Sequence, residues 1–241
     1  MISDAFINAL ANAISAKTQL PEFPAGISVA EAYQYIPELT QRVSGGPAGI
    51  KAGITNADLQ RLFGLAEPLI GLLYQNGEIQ SGDNLPYSPH RRIECEMAVT
   101  FNADGDPISV GPAIEFVNLD FARPKDMTPG NLTLCNLGAD RFILGEMNGW
   151  DSFNFDELAT IEIIATRDGE TLITTSPMDS LDGPANALNW CISKAKSLGL
   201  TLPENGILLA GTNGTAIEAD LGYYEISYGP LGSLTFSISN S

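Results

Sequence analysis

The stretch Arg92-Ile93-Glu94-Cys95-Glu96-Met97-Ala98-Val99-Thr100-Phe101 indicates the kind of fold, because apolar residues occupy every second position along it. An extended chain places alternate side chains on opposite faces, so Glu94 and Glu96 share the face opposite this apolar series. The next segment, Asn102-Ala103-Asp104-Gly105-Asp106-Pro107, is rich in turn-forming residues and predicts a hairpin. A long strand that continues into a hairpin favours a β-rich body.

The C-terminal two thirds of the chain carry further strand patterns and one helix. Strands are predicted at 113–119, 141–145, 160–167, 171–175, 206–211 and 222–238. The helix follows Asp182-Gly183-Pro184 and ends at Gly199, with Asp182 as its expected N-cap.

The first eighty residues are dominated by helical patterns. Residues 4–16 have apolar side chains at helical spacing, and Asp4 is the expected cap. A second helix begins at Ser28 and continues to Gly45, and a short third one occupies 56–64. We predict an α+β fold, with a mostly helical portion at 1–80 on a β-rich mixed-sheet body at 81–241. Without an evident linker or internal repeat, the two portions are expected to form a single integrated unit.

Composition restricts the classes of partner and the location. The 241 residues carry a formal net charge of −17, which repels nucleic acid and anionic lipid, so neither partner is expected. An anionic substrate would need a local cation or a metal ion. The sequence shows neither a secretory signal nor a run of roughly 18 apolar residues, as a membrane span requires. Its three distant cysteines are expected to be reduced thiols, and the expected location is the cytoplasm.

Three carboxylates are candidates for a shared metal site. Glu94 and Glu96 point to one face of a strand, and Glu115 lies in the middle of an apolar run. An ionised carboxylate buried without a partner is costly, and one metal ion would neutralise all three. Oxygen ligands favour Mg²⁺, with Mn²⁺ or Ca²⁺ as alternatives. The competing interpretation of Glu94 and Glu96 is an ordinary solvated sheet face.

An ordered set of motifs resembles the fumarylacetoacetate hydrolase superfamily, on the branch of the 2-keto-4-pentenoate hydratases and 4-oxalocrotonate decarboxylases. The matching segments lie within residues 45–238 and are Gly49-Ile50-Lys51-Ala52-Gly53, Gly64-Leu65-Ala66-Glu67-Pro68, Arg92-Ile93-Glu94-Cys95-Glu96, Ala113-Ile114-Glu115, Gly183-Pro184-Ala185, Leu209-Ala210-Gly211-Thr212 and Pro230-Leu231-Gly232.

The resemblance implies a β-roll built around a metal-centred pocket. Its metal ligands would be Glu94, Glu96 and Glu115, with Mg²⁺ as the cofactor and Mn²⁺ as an alternative. Lys51 would bind the substrate carboxylate or transfer a proton, and Gly211 and Thr212 would contact the substrate. The substrate would be a small organic acid, a 2-keto or 2-hydroxy-dienoic acid. A homo-oligomer is expected from the resemblance alone.

Three features depart from the family pattern. Leu69 occupies a position that is usually acidic, the segment ending at Gly138 lacks the pocket serine, and the stretch between Glu96 and Glu115 is short. General acid–base catalysis would then need other residues. The candidates for these roles are Glu67, Asp140 and Asp120.

These departures leave three functions open. We expect a metal-dependent lyase, with hydration of a 2-hydroxy-dienoate ahead of decarboxylation of a 2-oxo-enedioate. The third function is a catalytically silent binding protein that keeps the fold. The single histidine, His90, falls outside the matching motifs and is expected to be solvated. Four basic residues offer cations for a second substrate carboxylate, but surface salt bridges are the expected role of each: Arg91, Arg92, Arg123 and Lys125.

Overall fold

A computed structural model describes residues 2–240 as a mixture of helices and two β-sheets. The helices are α1 (Asp4–Ala16), α2 (Val29–Tyr33), α3 (Ile36–Ser44), α4 (Ala57–Phe63), α5 (Pro129–Leu134) and α6 (Pro184–Ser197). The strands are β1 (Pro47–Gly53), β2 (Leu69–Tyr74), β3 (Glu78–Ile79), β4 (Asn84–Pro86), β5 (Arg91–Phe101), β6 (Pro107–Asn118), β7 (Ala139–Leu144), β8 (Asn148–Gly149), β9 (Ile163–Arg167), β10 (Glu170–Thr175), β11 (Gly206–Leu209), β12 (Ile217–Glu218), β13 (Gly222–Ser227) and β14 (Ser233–Ser239). The prediction of an α+β fold with mixed sheets is confirmed.

The larger sheet has nine strands, with the order β2-β1-β11-β5-β6-β7-β3 and with β12 and β8 attached to β5 and β6. Its centre is the predicted hairpin, in which β5 and β6 pair in antiparallel register over their length. β1 runs parallel to β11, so the sheet is mixed. The smaller sheet has five strands in the order β10-β9-β13-β14-β4.

The apolar face of β5 lies in the main core. Ile93, Cys95 and Met97 are fully buried there, as the alternation predicted. The ring of Phe116 on β6 packs edge-on against Phe236 of β14, which joins the core to the smaller sheet. The opposite face of β5 is also covered near its middle, because α4 and the loop before α5 lie over the neighbouring strands and border the cavity there. That second covered face holds the carboxylates.

The N-terminal helices begin and end close to the predicted residues, with two corrections. Ser3, and not Asp4, caps α1, because the Ser3 hydroxyl accepts a hydrogen bond from the Phe6 amide. The long second helix is divided into α2 and α3. Pro37 lacks an amide hydrogen, and its ring would clash with the carbonyl of residue 33 in a continuous helix, so the chain breaks between the two.

Residues 1–80 also contribute strands to the larger sheet, which the helical prediction for this portion missed. β1 and β2 pair along their length and join the sheet through β11, with Gly49 opposite Ile207. A Cβ atom on Gly49 would lie 1.8 Å from the Ile207 carbonyl oxygen, so only glycine allows this approach.

The C-terminal helix starts differently from the prediction. Asp182 has a φ of 55° and does not cap α6. The N-cap is Gly183, whose φ of 97° suits glycine, and Pro184 occupies the first turn as expected.

No helix in the described part of the chain, residues 2–240, has both the length and the apolar character that crossing a membrane requires. Cys95, Cys135 and Cys191 are buried free thiols.

Candidate metal centre

The β5–β6 hairpin brings the three predicted carboxylates together. Glu94 is the direct cross-strand partner of Glu115, and Glu96 lies two residues further along the same face of β5. One carboxylate oxygen from each residue lies within 4.8 Å of those from the other two. Among residues 2–240, this is the group of acidic, histidine or cysteine side chains that has the spacing of a metal site.

Two of the three carboxylates are buried without sufficient hydrogen-bond donors. Glu96 and Glu115 are fully buried, and Glu96 Oε1 and both oxygens of Glu115 lack a hydrogen bond. Burial, followed by repulsion from Glu115 and Glu94, raises the pKa of Glu96 well above its ordinary value. Burial also raises the pKa of Glu115 to about 7, although the nearby ammonium group of Lys51 opposes this effect. The environment therefore disfavours the charged form of both residues in the absence of a cation.

Lys51 is the cation nearest to this cluster. It lies on β1 in register with Leu209 of β11, which itself pairs with Ala98 of β5, so its side chain shares the face of the carboxylates. Its ammonium nitrogen lies 2.5 Å from Glu115 Oε1 without the directed geometry of a hydrogen bond, and it donates a hydrogen bond to the Leu137 carbonyl at 3.3 Å. Burial lowers the pKa of Lys51, but the carboxylates outweigh this and raise the pKa above its ordinary value. The lysine is therefore protonated.

Gly211 fixes the position of Glu96. Its amide donates a hydrogen bond to Glu96 Oε2 at 2.7 Å, where the chain leaves β11 beside β5. Its φ is +96°, and a Cβ atom would lie 2.5 Å from Ser180 Oγ, so both backbone and space require glycine. Gly211 thus contacts a carboxylate of the candidate metal site directly, and its contact with a substrate stays a prediction.

The donor set fits a divalent cation. Three neighbouring carboxylates, two of which have buried oxygens without a hydrogen bond, supply the hard ligands that Mg²⁺, Mn²⁺ and Ca²⁺ prefer. The three oxygens lie within 4.8 Å of one another, so side-chain movements would be enough to bring them onto one ion. The interpretation of Glu96 as a solvated sheet residue is excluded by its burial, whereas Glu94 is half-buried.

A cavity of about 400 Å³ opens beside the cluster. Glu94, Lys51 and Thr212 are the polar residues that line it. The remaining lining is apolar and comes from Gly53, Ile54, Leu59, Leu62, Phe63, Val117, Leu119, Met127, Leu132 and Leu137. A second cavity of about 380 Å³ shares Glu94 and Thr212, so Glu94 is the carboxylate that faces open space.

The structure does not bring the two predicted proton-transfer residues, Glu67 and Asp140, to this cavity. Glu67 is half exposed and accepts a hydrogen bond from Lys194 at 2.6 Å. Asp140 is buried, but its oxygens are engaged by Arg91 at 3.2 Å and by Lys17. Neither residue lines the cavity, and a cation from a distant part of the chain binds each carboxylate, so their roles in proton transfer stay predictions.

The other polar candidates also lie elsewhere. His90 is half exposed, with Nε2 3.5 Å from Asp120 Oδ1, and neither residue lines the cavity. Arg91 is bound to Asp140, and the guanidinium of Arg92 to Glu218. Arg123 and Lys125 line a separate cavity beside Phe23 and Asp126.

The sequence interpretation missed the apolar wall and the backbone that shapes it. Ile54 and Leu137 line the cavity with φ values of 53°, which is unusual for large residues. The side-chain amide of Asn136 holds the second of these segments by bonding both backbone groups of Leu72, at 2.7 and 2.6 Å. Leu69, which replaces an acidic residue of the family pattern, is buried on β2. Gly53 is the sequence feature that could have indicated this wall, because a Cβ atom added at this position would collide with the Leu137 side chain.

Comparison with known sequences gives limited information. No family model matches the chain. A curated protein, REH2-associated factor 2 of Trypanosoma brucei brucei, is 27% identical over 129 residues, which cover 53% of this chain and 48% of that protein. The chain thus matches about half the length of this curated relative.

Comparison with solved structures identifies the fold. The 4-oxalocrotonate decarboxylase from Pseudomonas putida G7, complexed with magnesium and adipate, superposes with a TM-score of 0.86 over 99% of both chains, at 21% identity. Fumarylpyruvate hydrolase from Pseudomonas aeruginosa, complexed with Mn²⁺ and pyruvate, superposes with a TM-score of 0.58 at 14% identity, over 80% of this chain and 89% of that one. The fold of this chain is therefore the one seen in these two structures, as the resemblance in its motifs predicted.

Proposed function

We propose that this protein is a divalent-metal-dependent lyase that acts on 2-hydroxy-dienoic or 2-keto-enoic acids, with hydration favoured. The observation that carries the proposal is the buried cluster of Glu94, Glu96 and Glu115, which opens through Glu94 onto the cavity. With all groups ionised, three carboxylates and the one ammonium group of Lys51 leave two negative charges. A divalent cation would neutralise them.

Glu94, Glu96 and Glu115 would hold Mg²⁺, with Mn²⁺ as the alternative. When bound, the cation would supply Lewis acidity toward a substrate oxygen that gains negative charge during the reaction. Gly211 keeps one oxygen of Glu96 engaged, so the other oxygen remains directed at the cluster. The hydrogen bond from Gly211 would therefore hold the Glu96 carboxylate in position for the cation before the substrate binds.

Lys51 is the chain's own group for substrate chemistry. It is protonated and lines the cavity, so it suits binding of a substrate carboxylate or delivery of a proton, and not proton abstraction. The hydroxyl of Thr212 lies in the same cavity and offers a further hydrogen bond to the substrate.

Decarboxylation of a 2-oxo-enedioate is the second candidate. It is supported by the structural likeness to a decarboxylase bound to magnesium and adipate. It also fits the shortage of proton-transfer groups in the cavity, because loss of carbon dioxide does not require an activated water molecule.

The direct test is incubation of the purified protein with Mg²⁺ and 2-hydroxypenta-2,4-dienoate, with loss of the dienol absorbance as the signal. Oxalocrotonate is tested in parallel. Turnover should require Mg²⁺ and should be lost in Glu96→Gln but kept in Glu225→Gln, a change on the exposed face of β13. Lack of turnover of both compounds would contradict the lyase proposal. A silent binding protein would then be the better description.

Assembly and location complete the proposal. We infer a cytoplasmic homo-oligomer whose partner is a small organic acid. Light scattering coupled to size-exclusion chromatography measures the oligomeric state directly, and a monomer would contradict it.

A further inference from the structure

The segment that follows β11 leaves its regular pairing with β5 where it passes the carboxylate cluster. The amides of Ala210 and Asn213, three positions apart, donate to β5 carbonyls that are only two positions apart, at 2.9 and 2.8 Å. The segment therefore carries one residue more than regular antiparallel pairing requires, as in a β-bulge. Gly211 lies inside this bulge, and its amide donates to the Glu96 carboxylate. The position of the bulge thus decides where that carboxylate is held.

Ser180 binds the bulge both before and after Gly211, although it comes from the separate segment between β10 and α6. Its hydroxyl donates to the Ala210 carbonyl at 2.9 Å, and its amide donates to Asn213 Oδ1 at 3.2 Å. The hydroxyl also forms a hydrogen bond of 3.2 Å with that of Thr55, which follows β1. Because Ser180 is only 2% exposed, water does not readily replace these bonds. They restrict the movement of the bulge.

The backbone directly after Ser180 has an unusual conformation. Leu181, Asp182 and Gly183 have φ values of 49°, 55° and 97°, so three successive residues adopt the left-handed conformation. Only the third is a glycine, and the other two are strained there. Strain of this kind persists where surrounding contacts determine the conformation, and the hydrogen bonds of Ser180 are such contacts.

We propose that Ser180 is a positioning residue for the metal centre, and that it acts on Glu96 through the Gly211 amide. The inference rests on the proposed function, because it requires Glu96 to bind the cation. Ser180 lines neither cavity beside Glu94, but it packs against Gly211, where a Cβ atom would lie 2.5 Å from Ser180 Oγ. Groups that orient a metal ligand typically contribute about 10–100-fold to metal affinity. Ser180 holds such a group, so we expect the lower end of this range.

The test is Ser180→Ala, which removes the hydroxyl and keeps the bond from the residue 180 amide to Asn213. Titration calorimetry with Mg²⁺ alone measures the affinity, and hydrogen exchange in the metal-free protein measures how firmly the Gly211 amide is bound. We expect Mg²⁺ affinity to fall about tenfold. The Gly211 amide should exchange about tenfold faster, because its bond to Glu96 opens more often. Asn213→Ala releases the other side of the bulge and should produce the same two changes.

Two controls separate positioning from a loss of stability. Ser197→Ala removes an exposed hydroxyl that donates to the Lys194 carbonyl at 2.7 Å, at the end of α6. Ile238→Val removes one buried methyl group from the smaller sheet and should lower Tm. Both variants should keep the Mg²⁺ affinity and the Gly211 exchange rate of the wild type.

The outcomes distinguish this inference from the proposed function. Wild-type Mg²⁺ affinity in Ser180→Ala and Asn213→Ala, whatever their Tm, would overturn the inference and leave the proposed function intact. An equal loss of affinity in Ile238→Val would also overturn it, since the loss would then follow stability. Failure of the wild type itself to bind Mg²⁺ would overturn both.

Discussion

Replacement of Glu96 by Gln separates metal binding from the other electrostatic effects of the cluster. Burial raises the pKa of Glu96 well above its ordinary value, so the metal-free site favours the neutral, protonated form of this carboxyl. Glutamine has the shape and neutrality of that form, and its amide oxygen can still accept the Gly211 amide. We therefore expect the free energies of unfolding of Glu96→Gln and of the wild type, both without metal, to lie within about 1 kcal/mol of each other.

Addition of Mg²⁺ should separate the two proteins. At 100 times its Kd, a ligand stabilises the folded state by about 2.7 kcal/mol. For a chain of this size, that raises Tm by about 5–10 °C. A carboxylate 4 Å from a divalent ion is attracted by about 8 kcal/mol at an effective dielectric constant of 20, which exceeds the whole stabilisation. Glu96→Gln should therefore show no shift at the Mg²⁺ concentration that shifts the wild type.

Thermal melts followed by circular dichroism, with chelator or with millimolar Mg²⁺, provide the measurement. Glu225→Gln is the matched control, because it removes one exposed carboxylate from β13 and should keep the full Mg²⁺ shift. A wild-type midpoint that ignores both Mg²⁺ and Mn²⁺ would refute the shared site. An unchanged Mg²⁺ shift in Glu96→Gln would show that Glu96 is not a ligand.

Three further predictions follow from the same contacts. The pKa of Glu115 in the folded state is about 7, above its ordinary value of 4.5. Between these two pH values the folded state binds more protons than the unfolded state. The free energy of unfolding of the metal-free protein should therefore fall by on the order of 3 kcal/mol as pH rises from 4.5 to 7. Urea titrations with chelator at both ends of the window measure this, and a rise in stability would contradict it. Gly211→Ala should lower the free energy of unfolding by about 2–3 kcal/mol, because the new Cβ would collide with Ser180 at a positive φ. The same variant should bind Mg²⁺ more weakly. An Mg²⁺ affinity that is unchanged in titration calorimetry would show that Gly211 does not position Glu96. Lys51→Met should lower turnover about 10²–10⁴-fold while Mg²⁺ affinity stays equal or rises, since a nearby positive charge is removed; turnover at the wild-type rate would exclude Lys51 from the chemistry.

The hairpin and its carboxylates could be predicted from sequence because their signals are local. The alternation along 92–101 gives the face of each side chain, and the turn at 102–107 specifies the antiparallel partner. The exact pairing of Glu94 with Glu115 does not follow from these two facts, because a register shift between Thr100 and Phe101 sets it. Burial of Glu115 within an apolar run then indicates the metal site, because a carboxylate there needs a cation.

The functions assigned to Glu67 and Asp140 could not be checked from sequence, because their partners are distant along the chain. Lys194 lies 127 residues after Glu67, and Lys17 lies 123 residues before Asp140. Only the tertiary structure shows that each carboxylate is already engaged. The strand at Pro47–Gly53 was missed for a different reason, since its glycines and small residues resemble a loop when the neighbouring strand is unknown.

The cross-strand pairing of Glu94 with Glu115 also limits which changes in chain length this protein can accept. The turn at 102–106 lies beyond the paired part of the hairpin, so residues added there lengthen the loop without sliding one strand past the other. One residue inserted between Met97 and Val99 would instead turn Glu94 and Glu96 toward the apolar side. Homologous chains that keep the metal ligands should therefore vary in length at this turn and stay constant within the two strands.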